Sequence, residues 1–412
     1  MRMLSRTAAA ALLLLGPLVL PPAAAAHPDH DPTPTTAPTA PADRAPAPLH
    51  RSADALPGRY IVTLEPKTDV AAAASQLGVK PLFQYKTALR GFAASLSPDQ
   101  LAAVRKFPGV AAVEEDSAVS VPETAARRPT GRAARGARVP AASWGLDRID
   151  QRNLPLDGQF NVNRSGLGAS IYITDTGIDY FHSEFGGRAV FGFDAIGDGR
   201  RGRDCHGHGT HVAGTAGGAT YGVARQATLV SVRVLDCAGE GTLSGVIAAF
   251  DWVADNARQP AVLNASFGDD RSPATNRAVN TLATRGVLPV AAAGNDAKDA
   301  CQVSPASADR AFTVGATDQQ DRQTSFSNFG ECLSLYAPGA QIVSARLGGG
   351  SRTLDGTSMA APHVAGVAAL YKTANPNADA ATVTTWLNNT STKGVLTVDE
   401  TSLNRLLFTG GL

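Results

Sequence analysis

Strand and helix patterns alternate from Ser143 to the end of the chain, and this alternation restricts the possible folds more than any other feature. Short apolar, β-branched runs typical of buried strands lie at 170–174, 229–235, 261–265, 287–293, 311–316 and 333–336. Helical patterns lie at 243–256, 274–285, 358–373 and 380–388. This order predicts an α/β domain whose parallel sheet is flanked by helices on both faces, with functional groups at the carboxyl ends of the strands.

One of these strands ends in a carboxylate. The segment Ala169–Asp179, ASIYITDTGID, is rich in β-branched residues up to Asp175 and then turns through Thr and Gly. This pattern indicates a buried parallel strand that delivers Asp175 at its carboxyl end. Alone, an aspartate in this place would only cap a turn.

Two further motifs supply a base and a hydroxyl. His206–Gly214, HGHGTHVAG, places imidazoles before small residues suited to a tightly packed helix. Gly356–Gly366, GTSMAAPHVAG, places Ser358 between a glycine-rich approach and an apolar helix, with Pro362 expected in the first turn, where proline is tolerated. A serine at a helix start is usually an N-cap, but it becomes a nucleophile when a base takes its proton and a third group orients that base.

The chain supplies these groups in the order Asp, His, Ser, as subtilisin does. With AAAGND at 291–296, the motifs resemble the subtilases, most closely the proteinase K-like and aqualysin-like secreted bacterial serine proteases, from about residue 143 onward. The resemblance implies that Asp175 orients the base, His208 is the base and Ser358 is the nucleophile. Asn295 matches the oxyanion-hole asparagine. Spacing alone does not select His208 among the imidazoles of its motif.

The resemblance also implies how a polypeptide substrate binds. An extended peptide would pair as an added strand between two edges, where glycine permits close backbone approach. The residues of these edges are Gly239, Glu240, Gly241, Ser266, Phe267 and Gly268. Residues 291–294 would help to wall a first subsite that favours a large apolar or aromatic side chain. Phe267 and Asp269 stand where relatives usually carry leucine and glycine, which leaves the fine preference open.

Four cysteines in an exported protein suggest two disulfides, for which three connectivities exist. The resemblance implies the pairs Cys205–Cys237 and Cys301–Cys332.

The 412 residues are too many for one compact domain, and the composition changes several times before residue 143. Residues 1–26 have basic Arg2 and Arg6, an apolar core and a small-residue cleavage site, which predicts a signal peptide and a secreted, extracellular protein. Residues 27–55 are rich in Pro, Ala and Thr, which predicts a disordered segment. Residues 56–121 alternate strand and helix patterns, as in a small ferredoxin-like α+β domain.

The domain at 56–121 resembles the inhibitory propeptide of subtilases, which assists folding and blocks the cleft of the catalytic domain, here 143–412, until it is removed. Residues 122–142 carry five arginines and one acid, which favours an exposed, easily cut processing linker over a nucleic-acid or membrane contact. The formal charge of +1 gives no global attraction to anionic partners. We therefore expect polypeptide substrates and the chain's own propeptide as partners, no nucleic acid, no membrane and a monomeric enzyme.

A candidate Ca²⁺ site lies in LDRIDQRNLPLDGQ, residues 146–159. Calcium prefers six to eight oxygen ligands, and this stretch matches an aqualysin-like calcium site. The candidate ligands are Asp147, Asp150, Gln151 and Asp157. The alternative is that Asp147 and Asp150 only form surface ion pairs with Arg148 or Arg152. No organic cofactor is expected.

Three rival functions fit the motifs less well. A zinc site could use Cys205, His206, His208 and His211, but the chain lacks an H-E-x-x-H pattern. A lipase or esterase would require G-x-S-x-G, whereas the motif around Ser358 ends in Ala360. A non-catalytic binding module would have lost a member of the triad, and none is missing.

Overall fold

The computed structural model describes residues 45–121 and 141–412. The predicted signal peptide and nearly all of the basic linker lie outside the described residues, as does most of the segment 27–55. Residues 45–412 cluster as one compact unit.

The N-terminal part is a sheet with two helices. Its elements are β1 (Leu49–His50), β2 (Ala55–Leu64), α1 (Val70–Gln76), β3 (Phe83–Tyr85), β4 (Gly91–Ser95), α2 (Pro98–Lys106) and β5 (Val110–Ser120). The strands lie in the order β1-β5-β2-β4-β3. Helix α2 begins at a capping box in which Ser97 and Gln100 exchange side chain to backbone hydrogen bonds. The predicted α+β arrangement is confirmed.

The prediction of disorder over 27–55 is wrong for residues 45–55. Strand β1 pairs in parallel with Val113 and Glu114 of β5, and Ala47 is buried in the core of the small domain. Composition did not predict this ordered part, because one buried alanine and a two-residue strand hardly change the composition of a polar segment.

The larger part contains the predicted α/β arrangement. Its first elements are α3 (Trp144–Ile149), β6 (Ser170–Asp175), β7 (Ala189–Asp194), α4 (His208–Gly217), β8 (Thr228–Arg233), β9 (Glu240–Thr242), α5 (Leu243–Asn256) and β10 (Ala261–Ala265). There follow β11 (Asp269–Asp270), α6 (Pro273–Thr284), β12 (Leu288–Ala292), β13 (Val303–Ser304), β14 (Phe312–Thr317), β15 (Leu335–Pro338), β16 (Ile342–Ala345) and β17 (Ser351–Leu354). The last are α7 (Thr357–Ala374), α8 (Ala380–Thr390), β18 (Thr392–Lys393) and β19 (Arg405–Leu406).

The central sheet has nine strands in the order β18-β19-β15-β14-β12-β10-β6-β8-β7. All neighbours are parallel except β18 and β19. The chain order changes direction beside β6, since β7 and β8 lie on one side of it and β10, β12 and β14 on the other. Such a switch point opens a crevice outside the carboxyl ends of the strands.

Alternate side chains of β6 enter two different cores. Ile171 and Ile173 pack in a cluster that includes residues of α4 and α7, whereas Tyr172 packs in a cluster with residues of α5 and α6. A strand buried on both faces explains why its sequence is almost continuously apolar. The predicted parallel sheet flanked by helices on both faces is confirmed.

Several short elements were not predicted from the sequence, among them an edge strand and a hairpin. Strand β7 lies at the sheet edge and exposes Val190 and Phe191. A register shift between Phe191 and Phe193 interrupts the two-residue alternation of side chains that would identify a strand. The hairpin of β16 and β17 pairs Ile342–Ala345 with Ser351–Leu354, and three of the four residues of its second strand are polar. None of the described helices is long and apolar enough to cross a membrane.

The structure joins Cys205 to Cys237 and Cys301 to Cys332. These bonds close loops with sequence separations of 32 and 31 residues. In the chain-entropy model, each such loop stabilises the folded state by about 3–4 kcal/mol.

We expect the double variant Cys301→Ser/Cys332→Ser to unfold on the order of 10 °C lower than the wild type, because its unfolded chain regains loop entropy. Turnover at 25 °C should stay near wild type. Cys205→Ser/Cys237→Ser is the comparison, since Cys205 lies three residues before His208 and its loss should also lower turnover. Calorimetry and a peptidase assay on both variants check this, and an unchanged melting temperature would contradict it.

Candidate active site

Asp175 and His208 meet where β6 ends and α4 begins. The Nδ1 atom of His208 lies 2.8 Å from Oδ1 and 2.9 Å from Oδ2 of Asp175, and both side chains are buried. Helix α4 can lie this close to the segment that follows β6 because its second residue is Gly209. A Cβ atom there would lie 2.2 Å from the carbonyl oxygen of Gly177.

The structure separates the three imidazoles of the HGHGTH motif. Only His208 contacts Asp175. His211 is fully buried with Nε2 near the carbonyl oxygens of Ile342 and Arg352, and burial lowers its pKa to about 3. His206 stands beside His208, with 6.4 Å between the ring centroids.

Asp204 holds the start of α4 and was not predicted as a functional residue. Its buried carboxylate accepts hydrogen bonds from the N–H groups of His206, Gly207 and Thr210 and from the hydroxyls of Thr176 and Thr210. The hydroxyl of Thr176 in turn accepts from the N–H of Gly209. The available signal was an aspartate four residues before His208, where an acidic side chain can satisfy the free N–H groups of a helix start.

Ser358 is the second residue of α7 and is buried. Its Oγ donates to the carbonyl oxygen of Ser266 at 2.9 Å, and Oγ of Ser266 donates to the carbonyl oxygen of Ser358 at 2.9 Å. The expectation that Pro362 lies in the first turn is wrong, because α7 begins at Thr357 and Pro362 is inside it. Proline lacks the N–H that would bond the carbonyl four residues earlier, which is that of Ser358. The hydroxyl of Ser266 satisfies this freed carbonyl.

The nucleophile and base candidates are not hydrogen-bonded to each other. Nε2 of His208 is buried and has no hydrogen-bond partner among the described residues. Hydrogen bonds between catalytic groups are often long or poorly aligned until the reacting complex forms, so this geometry does not exclude either residue from catalysis.

Asn295 follows β12 and is oriented by the start of α7. Its Oδ1 accepts from both the N–H and the hydroxyl of Thr357, each at 2.9 Å. The same hydroxyl accepts from the N–H of Gly294. Because Oδ1 is held in this way, the amide group Nδ2 is left as the donor for another ligand. Thr357 was not singled out in the sequence analysis, since nothing in a threonine next to Ser358 identifies its partner.

The end of β5 lies along the two edges expected to bind substrate. Val119 and Ser120 pair antiparallel with Gly241 and Glu240 of β9. On the other side Ser120 forms a bridge with Gly268. The N–H of Val121 donates to the carbonyl oxygen of Gly239 at 3.0 Å. The N-terminal domain thus inserts its last strand between both edges.

Carboxylates attach the rest of the N-terminal domain to helices of the larger domain. Buried Asp116 pairs with Arg59 and accepts from the N–H and hydroxyl of Ser244 at the start of α5. Glu114 accepts from the N–H of Ala274 at the start of α6, and burial raises the pKa of this carboxyl. Helix N-termini favour negative charge, so these contacts use free N–H groups in the larger domain.

The contacts of Asp251 run in the opposite direction. This residue of α5 accepts from the N–H groups of Lys86, Thr87 and Ala88 in the smaller domain. Each domain therefore supplies acceptors for the other.

The candidate calcium ligands show partial convergence. Oδ1 of Asp147 and Oε1 of Gln151 both accept from the N–H of Asp157. Burial, with added repulsion from Asp147 and Asp157, raises the pKa of Asp150 to about 6. Within 45–121 and 141–412, no three His, Cys, Asp or Glu side chains form a group arranged to hold a metal ion. The calcium site stays a prediction.

The alternative of surface ion pairs is not what the structure contains. Arg148 is buried and pairs with Asp321, and it also donates to the carbonyl oxygens of Gln151 and Arg152. The guanidinium of Arg152 lies over the ring of Phe408 at 4.2 Å. The zinc alternative also fails, because Cys205 is bonded to Cys237.

Comparisons with known proteins identify the family of this chain. The Subtilase family model matches residues 166–407, and the Peptidase inhibitor I9 model matches residues 59–122. The chain is 46% identical over 320 residues to Alkaline serine exoprotease A of Vibrio alginolyticus, covering 78% of this chain and 58% of that protein. It is 44% identical over 384 residues to Extracellular serine proteinase of Thermus sp. (strain Rt41A), covering 86% of this chain and 90% of that one.

A solved structure, that of a cold adapted subtilisin-like serine proteinase, is 49% identical with a TM-score of 0.64. The match covers 65% of this chain and 98% of that one. The chain belongs to the subtilase family. It is a subtilisin-like serine protease, a hydrolase, whose catalytic domain follows an I9 propeptide domain.

We expect Thr357→Val to lower kcat about tenfold with little change in KM, because Asn295 loses a hydrogen bond that orients its amide. Thr357→Ser keeps the hydroxyl and should retain near wild-type kcat. Steady-state kinetics on one peptide substrate compares the two. Equal kcat values for Val and Ser at this position would show that the hydroxyl does not position Asn295.

Proposed function

We propose that the chain is a secreted serine endopeptidase that cleaves peptide bonds by acyl transfer through Asp175, His208 and Ser358. The observation that carries this proposal is the buried contact of 2.8 Å between Nδ1 of His208 and Asp175. It fixes the imidazole in the tautomer with a proton on Nδ1, so Nε2 is the basic nitrogen.

In the first step Ser358 Oγ leaves the carbonyl oxygen of Ser266 by rotation of its side chain and transfers its proton to Nε2 of His208. The oxygen attacks the peptide carbonyl carbon, and Asp175 stabilises the imidazolium that forms. Nδ2 of Asn295 and the N–H of Ser358 donate to the developing oxyanion. In subtilisin, loss of the corresponding asparagine costs about 2.7–4 kcal/mol in the transition state.

His208 then protonates the leaving amine, and the acyl group remains on Ser358. Water enters, His208 removes its proton, and the resulting hydroxide equivalent releases the second product. These steps require no organic cofactor.

The substrate is an extended polypeptide bound between Gly239–Gly241 and Ser266–Gly268. The support is the position of β5, whose end already pairs with these edges as an added strand. The first subsite, walled by residues 291–294, favours large apolar or aromatic side chains. Main-chain pairing does not by itself distinguish side chains, so specificity is otherwise broad except where a side chain of the enzyme faces the substrate strand.

The chain is made as a zymogen. Its propeptide covers the substrate edges as an intramolecular inhibitor and assists folding, and the enzyme cuts within 122–142 to release itself as a monomer outside the cell. The related Thermus protein carries the name extracellular serine proteinase, which agrees with export. The signal peptide comprises residues 1–26.

We expect Ser358→Ala to give secreted, unprocessed precursor, because the nucleophile that cuts substrates also cuts the linker. Loss of this serine lowers turnover by about 10⁶-fold in subtilisin. The control is Ser165→Ala, whose hydroxyl contacts only its own loop and which should mature normally. Both are expressed in a host without other secreted proteases, and N-terminal sequencing locates the cut.

Mature-sized protein from the Ser358→Ala chain would contradict self-processing. Casein hydrolysis by the processed wild type should be abolished by phenylmethylsulfonyl fluoride. Hydrolysis that resists this serine-directed reagent would contradict the acyl-transfer mechanism itself.

We also propose a structural Ca²⁺ ion held by oxygens of Asp147, Asp150, Gln151 and Asp157. The support is the convergence of Asp147 and Gln151 on one N–H group and the raised pKa of Asp150, which burial causes and repulsion from Asp147 and Asp157 increases. A cation there would offset this repulsion. The ion would stabilise the fold and take no part in peptide hydrolysis.

A chelator should therefore accelerate heat inactivation of the wild type, which loses about 2.7 kcal/mol of stabilisation if calcium was 100-fold above its Kd. It should hardly affect Asp147→Ala/Asp150→Ala. Asp309→Ala, which removes an exposed carboxylate elsewhere, should respond as the wild type does. Equal chelator sensitivity in all three would place the ion at another site.

A further inference from the structure

Asp269 extends the substrate edge formed by residues 266–268. It begins the short strand β11, which pairs antiparallel with β13, so its backbone position is fixed. The preceding residue, Gly268, forms the bridge to Ser120 of the propeptide.

A side chain of the propeptide already contacts this carboxylate. Oγ of Ser117 donates to Oδ2 of Asp269 at 2.9 Å. Ser117 lies three residues before Ser120, which pairs with both substrate edges. A substrate that follows the register of β5 would place the corresponding side chain at Asp269.

The surroundings of Asp269 carry a mixture of charges while the propeptide is bound. Burial raises the pKa of Asp269, and Asp270 and Asp54 add to this effect. His50, Arg51, Glu114 and Arg271 line the adjacent small cavity. Asp54, His50, Arg51 and Glu114 belong to the propeptide, so their removal leaves Asp269 with Asp270 and Arg271.

Release of the propeptide also returns Asp269 to solvent, which favours the ionised carboxylate. The mature enzyme then presents an anionic acceptor at a fixed distance along the substrate strand. A hydroxyl donor occupies this acceptor in the zymogen, and an ammonium or guanidinium group would form a charge-assisted hydrogen bond with it.

We propose that Asp269 is a distal specificity residue that selects substrates with a hydrogen-bond donor, above all lysine or arginine, at the position of Ser117. An acidic side chain in this position is disfavoured by the like charge. The inference rests on the proposed function, since it requires substrates to bind in the register of β5.

The test uses mature enzyme obtained from the processed full-length chain. The peptides keep the sequence of Ala118–Val121, followed by Phe and two alanines, and vary only the residue before Ala118 among Lys, Ser and Glu. Mass spectrometry verifies that all are cut after Phe, and kcat/KM is measured at low ionic strength. The variants are Asp269→Gly, Asp269→Glu and, as a control of equal net charge change, Asp309→Asn.

The wild type and Asp309→Asn should prefer Lys over Glu about fivefold, with Ser between them. Asp269→Gly should reduce this ratio to about one, and Asp269→Glu should restore part of it. In 0.5 M NaCl the wild-type ratio should fall, because salt screens exposed charges.

Equal kcat/KM for Lys and Glu peptides in the wild type, or an unchanged ratio in Asp269→Gly, would overturn the role of Asp269. Either result leaves the proposed function intact as long as the peptides are cleaved. The proposed function itself fails if mature enzyme cleaves neither the peptides nor casein.

Discussion

Helix α7 lies buried against the parallel sheet, and its first residues orient Asn295 and contact Ser266. Ser358 is fixed at its start, Asn295 is oriented by Thr357 one residue earlier, and the approach through Gly356 has a φ of 150° that favours glycine. The proline inside α7 frees one carbonyl group, which the hydroxyl of Ser266 satisfies. Burial of an alanine-rich helix thus holds Ser358, Asn295 and Ser266, the proposed nucleophile, oxyanion donor and substrate edge, within one rigid arrangement.

The sequence predicted the central fold because β6 and its neighbours are buried on both faces, and such strands are continuously apolar. The apolar run of β6 also predicted that Asp175 lies at the end of a strand. The choice of His208 came from family resemblance, since only tertiary structure brings one of the imidazoles to Asp175. Asp204 carried a local signal as an acidic residue just before a helix start, but its contact with Thr176 and the pairing of Thr357 with Asn295 are fixed by packing between distant segments. Edge strand β7 and the short strand β1 were missed because neither has a sustained pattern.

The two domains are joined by complementary groups at their interface. N–H groups at the starts of helices α5 and α6 donate hydrogen bonds to carboxylates of the propeptide. In return, Asp251 of α5 accepts hydrogen bonds from three N–H groups of the propeptide. Polar groups that are satisfied only in the complex become solvated on separation, so the interface is compatible with release. Tyr85 of the propeptide is packed in the same core as Phe250 of α5, which adds apolar burial to these polar contacts.

Strand β5 belongs to two structures at once, since its first half pairs with β1 and β2 inside the propeptide and its end pairs with β9. A cut in the linker therefore does not by itself empty the cleft. The inhibitor leaves only when its last strand detaches, and that strand is held by the folded propeptide behind it. The folding stability of the propeptide, a domain of fewer than a hundred residues, then determines how soon activity appears after the cut. A more stable propeptide would delay the appearance of activity without any change in the catalytic residues.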